Sequence, residues 1–173
     1  ALFNAAVNQA PANAQAREGV ELVRRAAINR VWTAIEADEL GAAQSALADA
    51  RRVEVPASEL APAESELRYR IYMANARDGR FEKTFGLSEL TVTRNVAPDY
   101  PSRAARRRLE GRVELEFVVN EDGRVENARI TKSTDQGFDR AALDAINRWR
   151  FEPHVENGRT VPVQAAVQFT FAL

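Results

Sequence analysis

The spacing of apolar residues changes halfway along this chain, and that change limits the fold more than any other feature. In residues 14–37 apolar side chains recur at helical spacing, as at Val20, Val23 and Val31. In residues 112–119 every second residue is apolar. A period near 3.6 predicts an amphipathic helix, and a period of two predicts a half-buried strand. The sequence therefore predicts a helical first half and a mixed second half.

The first half predicts further helices after residue 37. A second segment, 39–53, is closed by Pro56, and a third begins at Ser58 or Pro62 and runs to the Asp-Gly turn signal in "RDGRF". The stretch "FEKTFGLSEL" is interpreted as another short helix. The segments "LGAAQSALADA" and "LRYRIYMANARDGRFEKT" loosely resemble tetratricopeptide helices. A generic helical hairpin or bundle is the alternative, which we favour.

The second half predicts the order helix, strand, strand, helix, strand. These elements are expected at 102–109, 112–119, 125–133, 138–150 and 163–171. Val125 and Ile130 of the return strand fall on opposite faces, which predicts a bulge or an early start. The predicted class is α+β: a three-stranded antiparallel sheet with two helices on one face, preceded by an all-α region. We expect the helical region to span residues 1–95 and the second domain 96–173.

Composition excludes several classes of function. The chain has a formal net charge of -1, so no global charge draws it to nucleic acid. It has no cysteine, which excludes thiolate catalysis and disulfides, and its one histidine, His154, is interpreted as an exposed loop residue rather than a metal ligand. No grouping of residues suggests a catalytic centre, a metal site or a cofactor, so we expect no enzyme.

The ends of the sequence suggest a trimmed form. No apolar run reaches the length of a membrane span. The opening residues 1–15 lack the basic start and apolar middle of a signal peptide, and the chain does not begin with Met. We expect any anchor or export signal to lie outside this sequence.

The stretch "NRWRFEP" at 147–153 predicts the end of the last helix. Trp149 closes the apolar stripe, and Arg150 lies near the helix C-terminus, where a cation interacts favourably with the helix dipole. Phe151 can fold back on the sheet, and Pro153 prevents the helix from continuing. These residues are accounted for without any ligand.

The same stretch resembles the "RRWRYEP"-type signature of the TonB C-terminal domain family. "APDYPSRAARRRLEGRVELEFVVNEDGRV" matches that family's "P-x-Y-P-x-x-A", "E-G-x-V" and "V-x-x-D-G-x-V" motifs, and "FDRAALDAINRWRFEP" and "NGRTVPVQAAVQFTF" resemble its second helix and final strand. The resemblance covers about residues 96–173. The positions that match as structural signature are Gly111, Asp122, Gly123, Trp149, Arg150, Phe151 and Pro153.

The resemblance implies a periplasmic energy-transducing coupling protein. TonB proteins transmit inner-membrane proton-motive energy to outer-membrane transporters, and they bind the transporter's TonB box as a strand added beside their final strand. The implied partners are such a transporter and, through a segment absent from this chain, the inner-membrane proton-channel motor proteins. That absent segment would also attach the protein to the inner membrane.

The last strand and the segment before the first helix of the domain are the expected partner site. An edge strand offers unpaired N–H and C=O groups that an added peptide satisfies. The outward Gln164, Gln168 and Thr170 carry no charge that would repel it. The predicted partner-binding residues are Pro98, Asp99, Tyr100, Pro101, Arg103, Val163, Gln164, Ala165, Ala166, Val167, Gln168 and Phe169.

Three alternatives remain open at this point. The edge can be covered by the N-terminal half or by a second copy of the chain. The domain can act as a cell-envelope adaptor that bears no force, with the helical half as a second docking surface. It can also be a module that self-associates into a homodimer through its edge strands.

Overall fold

A computed structural model of the chain describes residues 14–173, and these residues divide into two compact units at 74/75. The boundary expected from the sequence, 95/96, lies later in the chain than the observed one. The two positions differ because residues 84–86 and 92–94 form short strands that pair with strands of the C-terminal unit. Residues 75–95, expected in the helical region, therefore belong with the sheet.

The N-terminal unit is built from three helices, as its hydrophobic period predicts. They are α1 (Ala14–Glu36), α2 (Leu40–Arg52) and α3 (Ala57–Arg77), the last of which ends just beyond the unit boundary. Ala43, Ala50 and Ala63 are fully buried in their core, beside Val31. Small side chains at these positions let helices approach closely. Whether this unit is related to tetratricopeptide helices stays a prediction.

Two large side chains of the N-terminal unit tie its helices together. Trp32 of α1 packs partly buried against the alanine-rich core. Arg70 of α3 donates a hydrogen bond to the carbonyl of Ile35 at 3.0 Å and another to Glu66 at 2.9 Å. The carbonyl of Ile35, in the last turn of α1, thus accepts hydrogen bonds from both the Arg70 guanidinium and the backbone N–H of Asp38, the latter also at 3.0 Å.

The C-terminal unit alternates strands with short helices. Its elements are β1 (Thr84–Gly86), a 3₁₀ turn (Leu87–Glu89), β2 (Val92–Arg94), α4 (Ser102–Arg107), β3 (Gly111–Val119), β4 (Val125–Ser133), a 3₁₀ turn (Gln136–Phe138), α5 (Asp139–Ile146), β5 (Arg150–Phe151), β6 (Val155–Glu156), β7 (Arg159–Thr160) and β8 (Val163–Phe171). The α+β class and the order of the main elements are confirmed.

The main sheet has four strands in the order β1-β8-β3-β4, rather than the predicted three. β3 and β8 pair antiparallel over nine residues without a shift in register, from Gly111 opposite Phe171 to Val119 opposite Val163. The predicted antiparallel strands are these two and β4. The unpredicted strand is β1, which runs parallel to β8.

The predicted irregularity in β4 is a pair of bulges. The register between β3 and β4 shifts twice, and each shift inserts one extra residue into β4. Val125, Ala128, Ile130 and Ser133 are the less exposed positions, so the alternation restarts after each bulge. The bulges explain why Val125 and Ile130 appear out of phase in the sequence, although both face inward.

One face of the sheet carries the core, and α4 and α5 cover it. Each contributes small or apolar side chains, such as Ala104 of α4 and Ile146 of α5. The buried side chains on the sheet are Val113, Leu115, Phe117, Val119, Val163, Ala165, Val167, Phe169 and Phe171. The opposite face is polar, as expected for an antiparallel sheet with one covered face.

Two predicted helices differ from the structure. The last helix was expected at 138–150, but α5 ends at Ile146, so Trp149 follows the helix and Arg150 lies in β5. The stretch 81–90 was expected to be helical, and it forms β1 and a 3₁₀ turn instead. In both cases the segment pairs with a strand that lies far away in the sequence. The local spacing of apolar residues cannot predict such pairing.

None of the helices within residues 14–173 is both long and apolar enough to cross a membrane. The opening residues 1–13, on which the expectation about a missing signal rests, lie outside the described part of the chain.

Candidate partner-strand site

Strand β8 is built as the sequence predicts, with one apolar and one polar face. Val163, Ala165, Val167, Phe169 and Phe171 are buried, and each is 8% exposed or less. Between them lie the more exposed Gln164, Ala166, Gln168 and Thr170. The strand is therefore anchored in the core by alternate side chains along its whole length. Its position does not depend on what pairs with its outer edge.

The outer edge of β8 is not free along its whole length. The sequence predicts an open edge from Val163 to Phe169, but β1 pairs with β8 in parallel, with Thr84 opposite Gln164 and Gly86 opposite Ala166. The prediction of an open edge is therefore wrong at 164–166. Beyond Ala166, no strand among the described residues pairs with this side of β8. Whether these residues bind a partner stays a prediction.

The occupant of the edge belongs to a short segment, residues 83–89, which we call the strap. Lys83 lies over the ring of Phe85, with its Nζ 4.4 Å from the ring centroid, and it pairs with the carboxylate of Glu89. Glu89 also accepts a hydrogen bond from the backbone N–H of Gly86 at 3.0 Å. The hydrogen bond from Lys83, followed by that from Gly86, lowers the pKa of the Glu89 carboxyl. The strap thus holds its own shape largely through contacts within itself.

An aromatic contact helps the backbone pairing to hold the strap beside β8. The ring of Phe85 lies edge-to-face on His154, with centroids 4.9 Å apart. His154, interpreted from the sequence as an exposed loop residue, is therefore half-buried beneath the strap. Thr84 is exposed and Phe85 only half-buried, so the strap covers the edge of the sheet without entering its core.

Trp149 supports β8 from the covered side of the sheet. Its ring packs edge-to-face on Phe169, with centroids 5.7 Å apart, and its Nε1 donates a hydrogen bond to the carbonyl of Val96 at 2.9 Å. The indole is 7% exposed. It joins the last strand to the segment that leads into α4. The structural role that the sequence predicts for Trp149 therefore extends beyond ending a helix.

The predicted partner residues before α4 divide into buried and exposed positions. Tyr100 is half-buried, donates a hydrogen bond to the carbonyl of Leu109 and contacts the rings of Phe138 and Phe171 at 5.7 and 6.1 Å. It therefore braces the end of β8. The side chain of Asp99 is 95% exposed, with a long ion pair of 3.9 Å to Arg148. Pro98 and Pro101 are half-buried beside it, and Arg103 is exposed.

The remaining signature residues hold the turns around the sheet. Gly123, with a φ of 75°, lies so close to Phe151 that an added Cβ would be 2.0 Å from the Phe151 carbonyl oxygen. The N–H of Phe151 donates back to the Gly123 carbonyl at 2.9 Å. Asp122 is fixed by a hydrogen bond from its N–H to the side chain of Asn120 at 3.0 Å. The turn before β4 is thereby held against β5.

A β-carbon at Gly111 would be equally crowded. It would lie 2.7 Å from the ring of Phe138. The start of β3 therefore needs glycine so that the 3₁₀ turn before α5 can pack on it.

The opposite edge of the sheet has a different character. β4 carries the two bulges and exposes Glu126, Arg129 and Lys132. Arg129 pairs with Glu116 of β3 at 2.6 Å. Bulges and charges both discourage another strand from pairing with an edge. Of the two edges, that of β8 is the one with uncharged side chains.

The described residues contain no group of three His, Asp or Glu side chains placed to hold a metal ion. The groups that converge at the edge of β8 are backbone amides and carbonyls, aromatic rings and uncharged amides. Such a set can pair with an extended peptide.

Comparison with known proteins places this domain. A family model described as the Gram-negative bacterial TonB protein C-terminal matches residues 96–173. Residues 96–173 belong to the TonB C-terminal family. The resemblance found in the sequence motifs is confirmed, and the family is a non-enzymatic one.

Individual TonB proteins show how far the similarity extends. The chain is 37% identical to Protein TonB of Pseudomonas aeruginosa over 87 residues, which are 50% of this chain and 25% of that protein. It is 44% identical to Protein TonB of Escherichia coli over 57 residues, 32% of this chain and 24% of that protein. The chain thus spans about a quarter of the length of these TonB relatives.

A solved TonB structure is also similar. The solution NMR structure of the Pseudomonas aeruginosa TonB CTD is 35% identical and covers 53% of this chain and 96% of that chain, with a TM-score of 0.47.

Proposed function

We propose that this protein is a periplasmic coupling component that binds the TonB box of an outer-membrane transporter by strand addition at β8 and transmits proton-motive force for active uptake. The observation that carries the proposal is the outer edge of β8 in a TonB C-terminal domain: an uncharged strand with a regular inner neighbour and no strand of the described chain beside it after Ala166.

The strap supports strand addition at this edge. Residues 84–86 already pair there in parallel with β8, although they contribute little buried surface. Pairing that depends on backbone groups accepts many sequences, because every residue other than proline has the same N–H and C=O. A transporter peptide is therefore proposed to take the same orientation, parallel to β8, and to extend along Val167 and Gln168 toward Phe171.

The regular pairing of β8 with β3 suits a domain that is pulled. A force directed along an added strand acts on several hydrogen bonds at once. The same force passes to the β3–β8 pair, which has nine registered residues and no bulge. The bulged β3–β4 pair lies on the far side of β3. The irregular pairing is thereby removed from the proposed line of force.

We further propose that the partners are an outer-membrane TonB-dependent transporter and, through a segment outside this chain, the inner-membrane proton-channel motor proteins. That outside segment would attach the protein to the inner membrane. Asp99 and Arg103 are exposed, and they lie in the chain on either side of Tyr100 and Pro101, of which Tyr100 contacts Phe171. We propose that these two charged side chains contact the transporter next to the peptide.

A titration of the full 173-residue chain with a synthetic TonB-box peptide tests the proposal. We expect backbone amide NMR shifts concentrated in 163–171 and in β1. Peptides that are N-methylated on alternate amides provide the matched control. Only every second N–H of a strand faces a given neighbour, so one methylated peptide should lose binding about 100-fold and the other should keep it. Equal binding of all three peptides, or none by the unmodified one, would contradict strand addition.

A second candidate is an envelope adaptor that bears no force, and the separate core of the N-terminal unit favours it. That unit buries its own set of residues around Val31 and Leu60, and Leu47, Leu67 and Ile71 line a groove on its surface. An adaptor would bind the peptide equally in energised and de-energised cells. We expect instead that an uncoupler which collapses the proton gradient changes the yield of in-cell cross-links between β8 and a transporter.

A further inference from the structure

The strap occupies the place where the proposed function puts a partner peptide. It pairs with residues 164–166, in the first half of β8, and its 3₁₀ turn continues beside the strand. A peptide added over Val163 to Phe169 would need the same backbone groups of β8 that β1 now uses. Both cannot pair with that part of the edge at the same time.

The strap is attached in a way that permits release. Its three paired residues are exposed or half-buried, and among them Phe85 contacts the ring of His154. The contacts of Lys83 with Glu89 and of Gly86 with Glu89 lie within the strap and would survive displacement, and no residue of the strap is buried. Leaving β8 would therefore expose little apolar surface, and the buried residues of β8 would stay anchored in the core.

The chain on either side of the strap limits how far it can move. On one side Gly79, with a φ of 71°, forms a turn after α3. On the other side, Val92 pairs with Phe151, and the carbonyl of Val96 accepts the Trp149 hydrogen bond. The segment is thus a tethered loop, held close to the sheet on its C-terminal side by β2 and the Trp149 hydrogen bond. Its effective concentration at β8 is high, of the order of millimolar or above for a short tether.

We infer that the strap is a resident pseudo-ligand: it closes the first half of the β8 edge in the resting molecule and is displaced when a partner strand pairs. The inference rests on the proposed function and adds to it that binding is a competition between two strands for one edge. The apparent affinity for a partner is then the intrinsic affinity multiplied by the fraction of molecules in which the strap is open.

Two variants of the full chain test this competition. Phe85→Ala removes the ring that lies on His154, so it should open the strap and tighten binding of the TonB-box peptide by about tenfold.

The second variant carries two substitutions, Thr84→Cys and Gln164→Cys. They place the cysteines opposite each other on neighbouring strands about 4.8 Å apart, within the span of a disulfide. The natural chain has no cysteine, so this pair is unique. The oxidised form should lose peptide shifts at 163–166, and reduction of the same sample should restore them.

The outcomes separate the two proposals. If the peptide binds the wild type, Phe85→Ala and the oxidised double-cysteine chain with equal affinity, the peptide pairs elsewhere, and the strap is not a competitor. If the cysteines do not oxidise to a cross-link, β1 does not rest on β8, and the inference also fails. If no form binds the peptide, including Phe85→Ala, the proposed function itself is wrong. A synthetic peptide of the strap sequence "KTFGLSE" should bind Phe85→Ala more tightly than it binds the wild type.

Discussion

The two outer long strands of the sheet, β4 and β8, differ in how readily another strand can pair with their free edge. The β4 edge is bulged twice and carries Glu126, Arg129 and Lys132. The β8 edge is regular, has no charged residue and is partly covered by the strap. The β4 edge is protected by its own irregularity, whereas residues 164–166 of β8 are covered by a separate segment, which by our inference is displaced when a partner strand pairs. The comparison shows two ways of covering a strand edge: bulges and charges within the strand itself, or a second short segment that pairs with it.

Breaking the turn that leads into β4 should have the largest effect. Gly123→Ala would place a methyl group 2.0 Å from the Phe151 carbonyl oxygen in a left-handed conformation. We expect about 3 kcal/mol lower free energy of unfolding, because the turn cannot shift without moving β5. Urea unfolding of the full chain measures this change.

Gly158→Ala is the matched control for that variant. Gly158 lies in the β6–β7 hairpin with a φ of 79° and no atom within 4 Å of an added Cβ. Only the backbone preference is then lost, which costs about 1 kcal/mol. Equal losses at the two glycines would show that Phe151 does not fix the turn before β4.

A cross-linking comparison tests which edge accepts a peptide. Gln168→Cys on β8 and Thr131→Cys on β4 introduce single exposed cysteines on the two strands. A TonB-box peptide whose one cysteine is activated as a mixed disulfide should exchange with the thiol at position 168 roughly tenfold faster than with that at position 131, releasing the small thiol, because bound peptide raises the local disulfide concentration. Mass spectrometry of a time course measures both rates. Similar rates would mean that the β8 edge is not preferred.

The strained residue of β4 offers a smaller test of the bulged edge. Asn127 has a φ of 51° next to the first bulge. Asn127→Val should lower the free energy of unfolding by about 1–2 kcal/mol, since a β-branched residue is poorly tolerated in this region. Asn127→Gly, which adopts the same conformation freely, should not destabilise the protein. If valine is tolerated as well as glycine, the bulge has rearranged.

The smallest expected effect is a titration of the strap. Hydrogen bonds from Lys83 and Gly86 lower the pKa of Glu89 from its ordinary value of 4.5. Because the folded pKa is lowered, these contacts stabilise the strap above pH 4.5 and lose their effect as the pH falls through the lower folded value. The amide NMR shift of Gly86 should follow this titration. In Glu89→Gln the shift should not move below pH 4.5.

The features that could be predicted from the sequence are those in which buried and exposed side chains alternate. The faces of β3 and β8, the irregularity of β4 and the order of the main elements follow from which residues are apolar. The turn at Asp122 and Gly123 can also be predicted from the sequence, since Asp-Gly is a common hairpin turn. These elements owe their position to burial, and burial leaves a pattern in the sequence.

The strap was missed because it is held by backbone pairing rather than burial. "KTFGLSE" contains a glycine and no alternation, and its partner residues are far away in the chain. Its closest signals were Phe85 and His154, two rings whose contact no spacing rule predicts. The packing of Tyr100 against Phe171 could not be predicted either, because a motif match does not tell whether a side chain faces the partner or the core.

The burial of Trp149 also has a practical consequence for experiments on this molecule. The chain has two tryptophans, Trp32 in the helical unit and Trp149 against β8. Replacing either one with phenylalanine leaves a single tryptophan, and its emission, excited selectively over that of the three tyrosines, reports on one unit alone. The emission of Trp149, hydrogen-bonded to Val96 and 7% exposed, can therefore follow the sheet without an attached dye.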